Sequence, residues 1–567
     1  MAQYFSPGVY VEEYDNSARV MEGVGTSIAG FIGMAEKGQS VGAPVLVTNY
    51  RSFIRQFGKP LSEFEYGEYR YLAPSVEQFF ANGGTICYVT RVVPADAKCA
   101  SVKKGIMTVE AIDEGKWGNK IQITLNSVTK KKMQLVGKNG DAYVAKTIDG
   151  FREGDLVLAG TEYNRIKSII DNTVMFEKPF EKEVVDTAIV PTTLVYLVET
   201  DISVRYADEA ETYVGISFNN SNPNYIAYRM ANSELVKVKV DAFDEIKNPV
   251  EAILGNEMTS GMFMLESGND GSLNSVNPGT FIGEDNGPGK RTGLASFEEA
   301  TNVNMLAIPG VTMPEVIVSL VAQCENLKNR FAIIDMPKEM YKTKDLLKYR
   351  EMIDTTYAAM YHPWIQVYDR TSNQSEYIPP SGAMMGIYAR TDATRGVHKA
   401  PANEIVFCTG LSVNYTKAEQ DILNPAGINL IRAIPGQGIR VWGARTASSN
   451  SNFKYVNVRR LFIFVEESIK ANTNWVVFEP NDITLWSRVQ MTISSFLENL
   501  WRNGMLAGAS ASEAFFVDIG SSTMSKDDIM NGKLICNIGI APSRPAEFVV
   551  FRVTQHTAES GGGEAAE

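Results

Sequence analysis

The sequence predicts a multidomain protein of α/β and β-rich construction, and three observations carry that expectation. At 567 residues with 44% hydrophobic content, the chain exceeds what one core organises, and domain-size scaling gives roughly three or four domains. From Val303 to Tyr368, buried-type strand runs alternate with amphipathic helical runs. From about Ala100 to Met258 the texture changes to short β-rich runs separated by Gly, Asn and Lys.

Taken in order, residues 4–14 alternate around Val9, Tyr10 and Val11, between Pro7-Gly8 and an Asp15-Asn16-Ser17 turn, with no adjacent hairpin partner. Strands are predicted over Ser27 to Gly33, Pro44 to Val47 and Thr85 to Val93, and helices near Tyr50 to Phe57 and Ser75 to Ala81. Asn82-Gly83-Gly84 stops the second helix. The β-rich stretch contains runs at Lys120 to Leu125, Leu156 to Leu158, Thr193 to Glu199 and Leu235 to Val240. It reads as one or two inserted domains on the outer surface, where insertions disturb least.

Val303 to Ile308 then reads as a buried strand. Thr312 and Pro314 start a helix with Ile317, Leu320, Val321, Cys324 and Leu327 on one face. Phe331 to Asp335 is the next strand, Lys344 to Ile353 a second helix and Trp364 to Tyr368 a third strand, an order that implies a parallel or mixed sheet with right-handed crossovers. The dense Gly, Pro, Asn and Arg between Ile378 and Arg460 reads as turns, helix ends and inter-chain contacts. A helix runs from Val458 through Ile469. The clearest one has Leu485, Val489, Ile493, Phe496, Leu497, Leu500 and Trp501 on one face, Asn481 or Asp482 as cap and Gly504 as stop.

Phe548 to Thr554 is again extended and alone, and Ala558 to Glu567 is too polar to fold by itself. The expected divisions are 1–20 (arm strand), 21–99, 100–258, 259–435, 436–545, 546–556 (arm strand) and 557–567 (disordered tail). An unpaired strand at each end makes strand donation to neighbouring subunits natural, through Val9, Tyr10, Val11 and Glu12 at one end. At the other end the donors are Phe548, Val549, Val550, Phe551, Arg552 and Val553. Pairing of both arms within their own subunit stays open on the pattern alone.

The formal charge of −12 argues against a general nucleic-acid binder, which needs a basic face. The charge is uneven: Ile378 to Arg460 holds ten Lys or Arg against four Asp or Glu, leaving −18 on the remainder. That asymmetry fits either a basic face meeting an acidic neighbour or solvated surface arginines. Cys87, Cys99, Cys324, Cys408 and Cys536 form no CxxC pair and read as reduced and mostly buried. The start lacks the basic and apolar regions of a signal peptide, and no run reaches eighteen apolar residues.

Several segments resemble, in order, the tail sheath proteins of contractile bacteriophages and related injection machines. They are SPGVYVEE (Ser6 to Glu13), GVGTSIAGFIG (Gly23 to Gly33), RTGLASFEEATNVNMLAIPG (Arg291 to Gly310) and IPPSGAMMGIYARTDATRGVHKAPANE from Ile378. LNPAGINLIRAIPGQGIRVWGARTASS, FKYVNVRR, WVVFEPND and APSRPAEFVVFRV follow. The resemblance covers most of residues 1–95 and 260–556. It implies a subtilisin-like α/β core without catalytic residues at 259–435, and subunits stacked as sixfold rings around an inner tube. The terminal arms would lace those subunits together. It also implies contraction from a metastable extended state, partners in the tube, baseplate and tail terminator, and a place in a virion tail or injection particle assembled in a bacterial cytoplasm. No cofactor, metal, direct nucleic-acid contact or stable membrane insertion is expected. The competing readings are a non-contractile virion protein and a serine hydrolase.

The hydrolase reading starts from Gly25-Thr26-Ser27-Ile28-Ala29, which resembles a subtilisin serine motif. Subtilisins place Asp and His upstream of that serine, and no histidine precedes His362. Gly287-Pro288-Gly289-Lys290-Arg291-Thr292 lacks the first glycine of a phosphate loop and has Arg291 at the Ser/Thr place. Ser267-Gly268-Asn269-Asp270-Gly271 resembles a Gly-Gly-x-Asp-Gly turn of the sheath family. Arg390, Arg395, Arg445, Arg459 and Arg460 are the interface candidates, because guanidinium forks supply geometry as well as charge. Arg459-Arg460 opens an apolar helix, where positive charge opposes the dipole and calls for a carboxylate, with Glu479 and Glu547 as the candidates. Roles inside one subunit are the equal alternative.

Overall fold

The computed structural model describes residues 21–180, 193–369 and 373–550. The predicted arm residues Val9, Tyr10, Val11, Glu12, Phe551, Arg552 and Val553, and the tail at 557–567, lie outside them. The chain forms two compact units. One takes residues up to Gly30, Glu77–Cys87 and everything from Thr301; the other takes Phe31–Val76 and Tyr88–Ala300.

The first unit is built on a parallel sheet. Met305–Ala307 pairs with Phe331–Asp335, that strand with Ala358–His362, and the last with Ile428–Ile434. Gly438–Val441 then adds antiparallel. The fully buried runs FAIID and AAMYH mark strands covered on both faces. Helices Pro314–Leu327 and Thr343–Arg350 make the crossovers, with Pro314 at the first turn, where its missing N–H costs nothing.

Two expectations change here. The third parallel strand is Ala358–His362, whereas Ile365–Asp369 belongs to a separate antiparallel sheet with Gln374–Ile378 and Gly410–Leu411. The segment after Ile378 opens with a fifteen-residue helix, Ser381–Arg395. Ten of its residues are buried, so it shows no amphipathic stripe. Asp335, at the end of its strand, caps that helix: it accepts Ser381 N at 2.8 Å, Ser381 Oγ at 2.6 Å and Gly310 N at 3.1 Å. Full burial pushes the Asp335 carboxyl up to about 6, against the downward pull of these hydrogen bonds. Gly386 lets the helix touch Phe79–Asn82, since a Cβ there would lie 2.4 Å from Phe79 O.

The second unit is strand-rich. A sheet ordered Glu209–Ile216, Glu199–Tyr206, Gln122–Val128, Ser260–Met264 shares one core with a sheet ordered Val236–Val240, Met107–Glu114, Cys99–Lys104. Trp117, Ile123, Val204 and Val236 lie in that core. Inserted between Gln122–Val128 and Glu199–Tyr206 is a closed six-stranded barrel around Met133, Tyr143, Val157, Ile166 and Val195. Its first and last strands, Lys132–Asn139 and Thr193–Leu197, pair with each other, and just outside it Val128 stands opposite Glu199. Arg91, 1% exposed, ties the unit's loops by donating to Ala35 O, Gly38 O and Glu114 O at 2.8–3.0 Å.

The two glycine-rich motifs are turns. Gly287 and Gly289 have positive φ, and Arg291 pairs with Asp285 and Glu299. Asp270 accepts Lys116 N at 2.8 Å, and Asn269 accepts Gly271 N at 3.2 Å. All five cysteines are free thiols, and burial pushes Cys324 up to about 12. Among the described residues no helix is long and apolar enough to cross a membrane.

Candidate assembly site

The end of the first unit combines one long helix with a two-stranded sheet. Ile483–Arg502 starts at Asp482, whose side chain accepts Leu485 N at 2.8 Å. It buries Leu485, Val489, Ile493, Phe496, Leu497 and Leu500. Each such side chain contributes about 1.5–3 kcal/mol of gross hydrophobic stabilisation. The hairpin Phe515–Ile519 with Cys536–Ile540 packs against it, in register from Phe515 opposite Ile540 to Ile519 opposite Cys536. Among the described residues this sheet has no third strand. Gln490 Nε2 takes Val517 O at 2.9 Å.

Helix Val456–Asn472 holds the roots of both terminal segments. On the N-terminal side Asn472 Oδ1 accepts Glu22 N and its Nδ2 donates to Glu22 O, and Ser468 Oγ accepts Val24 N at 3.1 Å. Gly23 lies close under the Phe464 ring, where a Cβ would sit 2.6 Å from it and force the ring to shift. Arg460 Nη2 donates to Thr26 O at 2.9 Å. On the C-terminal side Asn457 Nδ2 donates to Ser543 O, while Ser543 N and Oγ donate to Met505 O and Gly504 O.

The carboxylate that Arg460 needs is Asp392, in place of the Glu479 or Glu547 named from the sequence. Arg460 Nη1 and Nη2 meet Asp392 Oδ1 and Oδ2 at 2.8 and 2.6 Å, with both side chains 4% exposed. Burial pulls the Arg460 pKa down, and the Asp392 charge outweighs it, so the guanidinium stays cationic. Thr26 Oγ1 and Ser27 Oγ also donate to Asp392 Oδ2, at 2.7 and 3.3 Å. The serine of the subtilisin-like motif is therefore a donor to a carboxylate already paired with arginine, and His362 bonds Tyr415 OH at 2.9 Å. Arg459 is held between the rings of Phe453 and Tyr357, 3.6 and 4.4 Å from their centroids.

Glu547 is gripped by three elements. Arg445 Nε and Nη2 form a bidentate fork on Oε1 and Oε2, both at 2.8 Å. Asn424 Nδ2 donates to Oε1 and Tyr455 OH to Oε2, both at 2.7 Å. Partial burial raises the Glu547 pKa, but these hydrogen bonds and the Arg445 charge outweigh it and hold the carboxyl down to about 2. Immediately beyond, Phe548, Val549 and Val550 are 74%, 67% and 78% exposed. They form no strand in this chain.

Of the remaining candidates, Arg390 donates to Asn82 O and Ile405 O and stacks on Phe407. Arg395 and Glu479 are exposed. Phe478, beside Glu479, is fully exposed at φ 68°. Asp392, Asn424 and Tyr455 were missed from the sequence, because nothing local distinguishes them from ordinary surface residues.

Fold and site define a multidomain, strand-rich, mixed α/β protein. The phage tail sheath protein central domain matches residues 286–447, and the phage tail sheath C-terminal domain matches residues 448–556. A protein described as a prophage major tail sheath protein of Pseudomonas aeruginosa is 27% identical over 48% of this chain and 71% of its own. The tail sheath protein of Escherichia phage P2 is 25% identical over 48% of this chain and 69% of its own. That of Salmonella phage ViI is matched over only 43% of its length. The contracted helical sheath of the anti-feeding prophage aligns with TM-score 0.53 at 21% identity, over 97% of this chain and 99% of that one. The contracted sheath complex of the extracellular contractile injection system PVC aligns with TM-score 0.52 at 21% identity, over 99% and 100%. Carried by residues 286–556, these matches support a contractile phage tail sheath family for the chain.

Proposed function

We propose that this chain is the structural subunit of a contractile sheath, polymerising as stacked sixfold rings around an inner tube. Its contraction from a metastable extended state drives that tube through a target envelope. The observation that carries the reading is the apolar Phe548–Val550 segment, largely exposed, in a chain that also holds a sheet with only two strands among the described residues. Strand addition satisfies both at once, because the donated segment gains backbone partners and buries its side chains. Residues 9–12 at the other terminus act as the second donated strand.

In this reading 21–99, 259–435 and 436–545 form the sheath body, with 259–435 a subtilisin-like core without catalysis. The 100–258 insertion faces outward. Tube, baseplate and terminator proteins are the partners, in a phage tail or injection particle assembled in the bacterial cytoplasm. No nucleotide or other cofactor is needed, since new contacts between rigid bodies supply the work. The hydroxyls of Thr26 and Ser27, both directed to Asp392, support a non-enzymatic protein. Negative-stain electron microscopy of the recombinant chain across protein and salt concentrations tests this. Wide, hollow helical tubes are expected, and tubes of one fixed diameter under every condition, including after baseplate-like triggering, would refute contraction.

A further inference from the structure

We infer that Glu547 is the pivot of the C-terminal arm, the residue at which backbone bound to its own subunit gives way to backbone free for a neighbour. The inference rests on the arm-donation reading above and adds the position and chemistry of the joint. In the structure Ala541 and Ser543 are stapled: Ala507 N donates to Ala541 O, Ala541 N to Ala514 O and Ser543 N to Met505 O. The last fixed point is the Glu547 carboxylate, held by the Arg445 fork, Asn424 and Tyr455, with Lys454 Nζ 3.5 Å away.

The next three side chains are each at least two-thirds exposed. A side-chain anchor followed at once by three exposed apolar residues is what a lever needs. The body rotates, the root moves with it, and the angle change falls on the residues just beyond. The clamp draws its residues from three separate elements: Asn424 follows helix Lys417–Leu423, Arg445 lies in the loop after the antiparallel edge strand, and Tyr455 caps helix Val456–Asn472. The joint is thereby fixed to three elements of the first unit at once. Glu547 is a positioning residue, and charge-assisted bonds give it a firmer hold than neutral ones would.

Hydrogen-exchange mass spectrometry on the full soluble chain tests this without requiring assembly. Glu547→Gln keeps the shape and removes the charge, and Glu547→Ala removes the side chain. Both variants are expected to speed exchange over 541–547 by about tenfold or more, the consequence of losing charge-assisted bonds. The 22–27 segment, held by Ser468 and Asn472, should stay unchanged, and 548–550 should exchange freely in wild type and variants alike. Asn424→Ala, which removes one donor and leaves Arg445 paired, should give a smaller acceleration. Unchanged exchange over 541–547 in both Glu547 variants with wild-type circular dichroism would overturn the pivot, as would strong protection of 548–550 in the soluble wild-type chain. Absence of tubes from wild type would strike the sheath reading, while the exchange data still decide where the joint lies.

Discussion

Replacing Asp392 by alanine leaves Arg460 buried with two guanidinium nitrogens stripped of their carboxylate, and Thr26 and Ser27 stripped of their acceptor. With both side chains 4% exposed, water cannot take over these bonds. Breaking such a pair from one side costs about 3–5 kcal/mol, a large share of the roughly 5–15 kcal/mol that stabilises a typical protein. At roughly 2–4 °C per kcal/mol for large domains, D392A should melt about 6–20 °C below wild type in calorimetry of the full chain. The double variant D392A/R460M removes both charges and should recover most of that loss, because a buried pair exchanged for apolar groups is often nearly neutral. A cost below about 1 kcal/mol for D392A would refute the reasoning. So would a D392A defect confined to assembly with monomer stability intact, which would return Arg460 to the interface.

Protonation of Glu547 loosens the arm root. Its carboxyl is held at about 2 against an ordinary 4.5, so its stabilising effect is fully present above about 4.5 and is lost as pH falls toward 2. The wild-type advantage over E547Q in urea midpoint should accordingly be constant near neutrality and shrink through that window. Gly386→Val places carbon against Phe79 O, where even a Cβ would be 2.4 Å away. It should cost about 1–3 kcal/mol by overpacking, read in the same calorimetry. Deleting Met1 to Ser17 should leave a folded monomer unable to polymerise, and normal tubes from that deletion would sink the donation of the N-terminal arm.

The parts of the fold legible in sequence are those with a one-dimensional signature. Pro314–Leu327 and Ile483–Arg502 carry an apolar stripe, a proline start or an aspartate cap, and a defined stop. Phe331–Asp335 is an unbroken apolar run ending in an acid. Ser381–Arg395 was hidden because a helix buried on nearly every side has no period, and Pro379-Pro380-Ser381-Gly382 reads as a turn. Ala358–His362 was passed over because Ala-Ala-Met-Tyr-His lacks β-branched residues, although tertiary burial makes it a central strand. The site was half legible: Arg445, Arg460 and Glu547 stood out by type, but their partners lie 16 to 123 residues away along the chain, beyond any local pattern.

The paired ends of the six-stranded barrel make that domain a cassette in the genetic sense. Val128 and Glu199 already face each other across an antiparallel pair, so a two-residue hairpin turn joining them would close the strands of the underlying sheet in their existing register. Excising 129–198 leaves the underlying core of Trp117, Ile123, Val204 and Val236 untouched, since none of those residues belongs to the barrel. The same junction accepts any folded domain whose two termini lie one strand-spacing apart, about 4.8 Å. A gene edited at that point would carry a chosen domain once per chain.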